Sequence, residues 1–249
     1  MAPIKRTRWF SWQASRCPSS TQYPYDHRVG ELAGSHPPEA AGLPRGRSRL
    51  PSEDVNEEQR VRILRAIIAA TADRGYHAVT VSDIVRRARV SREAFYRQFP
   101  GKLECFVAAL DMGRSIILPR IAAAQEADLG TDLPALLHAM VKAYLETCAA
   151  EPEFTRAWAL DLTSAGPATF EIRNRFLDEL ALLVRDAHGM SGSHAGAAAQ
   201  LPFDSYVALI GGCLELIYRY VIAGRTAEVG ELEDPMVTFL LSGLGEAPA

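Results

Sequence analysis

Thr80 and Ser91 stand eleven positions apart in the segment TVSDIVRRARVSREAFYRQFPGK, residues 80–102, and each is a residue type that caps the start of a helix. Asp83 follows Thr80 by three positions, completing a Thr-x-x-Asp form of the capping box. Ile84, Val85 and Ala88 then supply a short apolar stripe at helical spacing. Two helix starts this close leave room for one helix of about two turns and a bend. Ser91 opens the second helix, from Arg92 to Phe99, in which Ala94, Phe95 and Phe99 are available for packing. The chain here is restricted to two short helices joined by a tight turn, the second starting with polar and basic side chains.

In a helix-turn-helix the second helix enters the major groove N-terminus first, so its early exposed side chains face base edges and phosphates. In this chain those side chains are Arg92, Glu93, Tyr96, Arg97 and Gln98. Arg can pair with guanine in bidentate fashion, Gln with adenine, and Glu can accept from cytosine, while Tyr and Lys commonly hold phosphates. Residues 82–102 carry six basic and two acidic side chains, a net of +4. The competing reading makes Arg86, Arg87, Arg89, Arg92 and Arg97 a solvated helical face and nothing more.

The wider context resembles the DNA-binding domain of TetR-family transcriptional regulators, over about Glu57 to Leu110. The residues that carry the resemblance begin with an amphipathic helix containing Ile63, Leu64, Ile67, Ile68 and Ala70, then the Gly75-Tyr76 break, Thr80-Val81 and Asp83-Ile84-Val85. Val90-Ser91, Phe95-Tyr96-x-x-Phe99 and Lys102-Leu103-Glu104 follow in order. The resemblance implies that Thr80 and Ser82 lie near the DNA backbone, Arg92, Glu93, Ala94 and Arg97 near bases, and Tyr96, Gln98 and Lys102 near phosphates, with Ser91 capping the reading helix. It departs from the family at Arg89, where a turn glycine is usual. A non-glycine residue in a left-handed conformation costs on the order of 1–2 kcal/mol.

Net charge is −3, but it is unevenly spread: +5 over residues 1–50, +3 over 51–102 and −11 over 103–249. Phosphate neutralisation dominates affinity for duplex DNA, so the basic N-terminal part is the expected DNA face and the acidic remainder opposes general coating of nucleic acid. Residues 1–52 are rich in Pro, Ser, Gly and Arg without periodicity and are read as a disordered basic extension. Arg45-Gly-Arg47-Ser-Arg49 is a candidate minor-groove arm, against the alternative of an inert tail. The expected layout is all-α: a three-helix helix-turn-helix domain over 53–102 and a larger helical ligand-binding and dimerisation domain over 103–249.

Within that larger part, helices are expected near 103–127, 132–150, 152–164, 167–188, 202–224 and 233–244, with Pro119 ending or kinking the first of them. Tyr206 to Ile222 is apolar around its whole circumference and contains Gly211-Gly212, so the last two long helices are the candidate homodimer interface. A dimer would place two reading helices roughly 34–36 Å apart on a near-palindromic operator. Tyr144, Phe154, Trp158, Leu162, Phe170, Phe176 and Leu180 are candidate walls for a small apolar or amphipathic effector, with Glu146, Asp161, His138 and Arg156 as possible polar partners. An ordinary aromatic core is the competing reading.

No uninterrupted apolar run reaches the roughly 18 residues of a membrane helix, and a soluble cytoplasmic protein is expected. Cys17, Cys105, Cys148 and Cys213 stand singly and are expected to be small core residues; no metal site or cofactor is expected. The six histidines are scattered, His188 and His194 are expected to be solvent-exposed, and no hydrolase, nucleotide or metalloprotease motif occurs, so an enzyme is not expected. The function expected is a repressor that leaves its operator when a ligand binds. The alternative is an architectural or co-regulatory DNA-binding protein whose larger domain only dimerises or binds a partner.

Overall fold

A computed structural model of the chain describes residues 52–127, 132–190 and 201–246. The Arg45–Arg49 arm, Cys17, His27, His36, His194 and most of the loop from Gly189 to Gly196 lie outside the described residues. Helix α1, Ser52–Arg74, buries Ile63, Leu64, Ile67 and Ile68. It stops at Gly75, whose φ of 79° suits a residue without Cβ, and a 3-10 turn over Tyr76–Ala78 leads to Thr80.

Helices α2, Val81–Ala88, and α3, Arg92–Gln98, start where their caps stand. The Thr80 Oγ1 accepts from the Asp83 N–H at 3.3 Å, and Asp83 Oδ2 accepts in return from the Thr80 N–H at 3.0 Å. Ser91 Oγ accepts from the Ala94 N–H at 3.0 Å. Arg89 closes α2 in the left-handed region, φ 54° and ψ 43°, and the Val90 N–H reaches back to the Val85 carbonyl, as in a Schellman closure. It is the sole non-glycine residue with positive φ among the described residues. The turn therefore keeps its left-handed geometry without glycine.

Helix α4, Lys102–Ala127, leads away from this pair, followed by α5, Leu133–Ala150, capped by Asp132. Pro119 sits inside α4 and does not end it. One backbone bond is lost there, yet Ile117, Leu118 and Ile121 on either side are buried, and their packing offsets it. Helix α6, Pro152–Arg156, runs on through a π turn, Ala157–Asp161, and a 3-10 turn, Leu162–Ala165, where one regular helix was expected. Helices α7, Pro167–Met190, α8, Phe203–Ile222, and α9, Glu233–Leu244, complete the order, with a 3-10 turn at Thr226–Leu232 that periodicity did not reveal.

All regular elements among the described residues are helical, and one buried apolar cluster extends from Ile63 to Leu244. By length and composition alone α8 is apolar enough to cross a bilayer, which the sequence reading had not anticipated. In the fold its inner side, with Tyr206, Leu209, Ile210, Cys213, Ile217 and Val221, belongs to this cluster. His188 is also buried rather than solvent-exposed, its Nδ1 lying 2.9 Å from the Tyr206 hydroxyl. The cause is its position on the inner face of α7, which continues beyond the expected end at residue 188.

One close approach positions the middle helices. An ideal Cβ on Gly113 of α4 would lie 1.9 Å from Cζ of Phe154, so the ring rests directly on the α4 backbone. Gly113→Ala should force that ring out and cost about 1–3 kcal/mol as overpacking. Urea unfolding should show a lower midpoint with an unchanged slope.

Candidate nucleic-acid interface and effector cavity

The outer surface of α2 and α3 is built from side chains left over once the apolar ones are spent. Ile84, Ala88, Phe95 and Phe99 face inward, whereas Arg86, Arg89, Arg92, Glu93, Tyr96 and Arg97 are exposed. Tyr96 shows 57% of its surface to solvent, its ring meeting Phe95 edge-on. Arg92 Nη2 donates to Ser82 Oγ at 2.5 Å, which ties the first turn of α3 to that of α2. The Asp83 carboxyl is held well below the usual carboxylate range, first by the Thr80 hydroxyl and backbone N–H and then by Arg74. It also accepts from Arg86 Nη2 at 2.7 Å.

Three expected contact residues take other positions. Ala94 is 2% exposed, because the third position of α3 turns toward the core alongside Phe95. Gln98 is half-buried and its Nε2 donates to the Asn56 carbonyl of α1 at 3.2 Å. Lys102 Nζ donates to the carbonyls of Tyr76 and Val79, 2.9 Å each, and stands 4.1 Å over the Tyr76 ring. Its partial burial lowers the ammonium pKa. Thr80, Ser82, Ser91, Arg92, Glu93, Tyr96 and Arg97 remain at the surface or its edge.

Behind this pair, α4 to α8 line a cavity of about 250 Å³ that opens to the surface beside Arg173 and Tyr218. Tyr144, Phe154, Trp158, Leu162 and Phe176 line it as expected. Phe154 stacks on Trp158 at 5.9 Å, and Trp158 meets Phe176 edge-on at 4.9 Å. Phe170 does not reach it and is 44% exposed; it is early in α7, on the face turned outward. Leu180 lies one turn beyond Phe176 and lines a second, wholly apolar chamber of about 40 Å³. Tyr144 and Leu214 wall both spaces. Burial raises the Cys148 and Cys213 thiols to about 11 and about 12, leaving them as apolar core groups.

None of the four polar partners expected for this cavity lines it. Asp161 accepts from the Tyr76 N–H, Arg156 donates to the Ala72 carbonyl, His138 pairs with Glu233, and Glu146 is exposed. The polar wall consists instead of Arg114, Thr155, Thr163, Arg173, Glu215 and Tyr218. Arg114 Nη1 lies 2.7 Å from both Glu179 carboxylate oxygens, and its Nε donates to Asp111 at 2.9 Å. The wall groups come from α4, α6, the 3-10 turn at Leu162–Ala165, α7 and α8, and no local sequence pattern joins them.

Residues 63–109 match the family model for bacterial regulatory proteins of the tetR family, and this segment carries α2, α3 and their caps. That segment is what this chain shares with the family. The chain is 33% identical over 82 residues to the HTH-type transcriptional activator FasR of Mycolicibacterium smegmatis, an alignment that spans 33% of this chain and 37% of FasR. It is 39% identical over 59 residues to the HTH-type transcriptional repressor KstR of Rhodococcus jostii, spanning 24% of this chain and 28% of KstR. The chain thus matches well under half the length of these relatives.

The fold of this chain is similar to that of the Bacillus subtilis regulator FadR in complex with stearoyl-CoA, with a TM-score of 0.64 at 16% identity over 73% of this chain and 97% of that one. The fatty acid degradation regulator FadR of Bacillus halodurans gives 0.63 at 18% identity over 78% and 97%. Lys102→Ala removes the ammonium from the Val79 carbonyl and from the Tyr76 carbonyl, which keeps only the Val79 N–H, and should lower stability by about 1 kcal/mol, measured by urea unfolding.

Proposed function

We infer that this chain is a TetR-family DNA-binding transcriptional regulator that reads its operator with α3 and answers to a small amphipathic ligand held among α4 to α8. The observation that carries the DNA reading is the doubly capped helix pair, with Arg92 and Arg97 exposed on the second helix and Arg92 bonded to Ser82 of the first. Arg92, Glu93 and Arg97 are assigned to base edges. Thr80, Ser82, Ser91 and Tyr96 are assigned to the backbone, with Gln98 and Lys102 as supports that keep the pair in register. Operation as a repressor follows where the operator overlaps a promoter; FasR and KstR carry opposite signs in their names. Such a regulator acts in the cytoplasm, where its DNA is.

The helix-turn-helix domain is assigned to residues 53–102 and the ligand-binding and dimerisation domain to 103–249. For the dimer, α8 and α9 offer Tyr218, Ile222 and Phe239, large apolar side chains exposed at 38%, 59% and 43%. Gly212 backs the Phe239 ring, so α8 presents little bulk there. Burial of such a surface against a second copy spaces two α3 helices for successive major grooves.

The ligand class is argued from the cavity. Aromatic and aliphatic walls adjoin the smaller apolar chamber at Tyr144 and Leu214, while Arg173, beside Glu215 and the carboxylate-paired Arg114, stands on the larger one. That gradient suits a long-chain acyl group with an anionic head, the chemistry of the stearoyl-CoA held by the similarly folded Bacillus subtilis FadR.

Purified protein, incubated with genomic fragments against excess competitor DNA, should retain a near-palindromic motif. Arg92→Ala and Arg97→Ala should each weaken the preferred site by about 1–3 kcal/mol while leaving competitor binding nearly unchanged. Salt-sensitive retention without a motif would instead support an architectural protein. Stearoyl-CoA should change the affinity for the retained fragment by at least about fivefold, the lower end of ordinary allosteric coupling, in a fluorescence-anisotropy titration.

A further inference from the structure

Asp161 is 9% exposed and occupies the last position of the π turn over Ala157–Asp161. Trp158 and Ala159 of the same turn, and Leu162 next to it, form the cavity wall. The Asp161 carboxylate points the other way: Oδ1 accepts from the backbone N–H of Tyr76 at 2.7 Å, across 85 positions of sequence. Tyr76 opens the 3-10 turn between α1 and α2, so its N–H has no partner within that turn and needs one from elsewhere. Gly75, at φ 79°, turns the chain so that this N–H meets the carboxylate; an ideal Cβ there would sit 3.5 Å from Asp161 Oδ1.

The other end of the same residue is held as well, since the Tyr76 carbonyl accepts from Lys102 at the start of α4. One residue of the joint is therefore gripped by the cavity wall through its N–H and by α4 through its C=O. A second tie runs in parallel, because Arg156 Nε, just before the π turn, donates to the Ala72 carbonyl near the end of α1 at 2.9 Å. π turns hold one residue more than a regular helical turn and occur frequently at functional sites.

We propose that Asp161 is a positioning residue that couples occupancy of the cavity to the placement of α2 and α3. This rests on the reading of the helix pair as the DNA-binding unit and of the cavity as the effector site. A ligand seated against Trp158 displaces the π turn, moves the Asp161 carboxylate relative to the Tyr76 N–H and alters the angle at which α2 leaves α1. Linkage makes the effect reciprocal, so DNA bound at α3 also changes the surroundings of Trp158.

The test uses the full chain with Trp9 and Trp12 replaced by Phe, so that Trp158 alone reports. The DNA is a retained fragment, or sheared duplex at low salt if no motif is recovered. D161A should bring the ratio of DNA Kd with and without stearoyl-CoA to within about twofold of unity, against at least about fivefold in the parent. It should also abolish the Trp158 emission change on DNA addition. D161N keeps an oxygen that can accept from Tyr76 and should retain both effects. An unaltered ratio in D161A, or an equal loss in D161N, overturns the proposal; a purely structural role would lower the melting temperature of D161A and leave the ratio intact.

Amide exchange at Tyr76 in the parent protein supplies a readout that does not depend on any Asp161 variant folding. Exchange should change when stearoyl-CoA saturates Trp158, and constant protection at saturation overturns the coupling. If stearoyl-CoA leaves Trp158 emission unchanged, the acyl-ligand reading falls. The Asp161 proposal is then decided by DNA alone: Tyr76 exchange and Trp158 emission must both respond to it in the parent, and a null response overturns the proposal.

Discussion

The joint at Tyr76 is the place on which the arrangement of the helix pair depends. Its ring packs against Phe106 of α4 at 4.9 Å, under the Lys102 ammonium at 4.1 Å, and both its backbone polar groups bond to side chains from distant segments. A buried backbone group left without a partner costs about 1–3 kcal/mol, so the joint strongly favours the one geometry in which Asp161 and Lys102 meet it. The apolar seat supplies attraction and the two polar bonds supply direction.

A similar division holds for the cavity. Phe154, Trp158, Phe176 and Tyr144 form a connected aromatic wall, and Gly113 allows its first ring to rest on the backbone of α4. The same helix begins at Lys102, so the wall and the joint are attached to one rod. Charge reinforces the arrangement at the wide part of the cavity, where the Glu179 and Asp111 carboxylates hold Arg114. Desolvation pushes Glu179 upward and Arg114 pulls it back, the balance expected of a half-buried ion pair.

Elements whose signals are local were legible in advance. Thr80, Asp83 and Ser91 act within three residues of themselves, so their capping bonds can be read from spacing. The left-handed turn at Arg89 was not legible in that residue; only the family resemblance, with its usual turn glycine, raised it, and the structure has it with a bulky residue in place. Five of the seven cavity residues were legible because large aromatic and aliphatic side chains at helical spacing turn inward together. Phe170 and Leu180 separate from them because a stripe on one helix does not say where the neighbouring helix stops covering it. Ala94 and Lys102 differ for a related reason: a small residue or a long flexible amine suits either groove or core, and the packing of α1 and α4 decides.

The sequence by itself determined the helical class, the positions of most helix ends and the basic character of the α2–α3 surface, because caps, periodicity and charge act over a few residues. Tertiary structure decided which polar groups meet. Asp161 with Tyr76, Arg114 with Glu179 and His188 with Tyr206 come from separate helices or turns, two of the three across 65 positions or more. Pairings of that kind carry no periodic signal, because they depend on how helices cross, and the crossing is set by the summed fit of many apolar side chains.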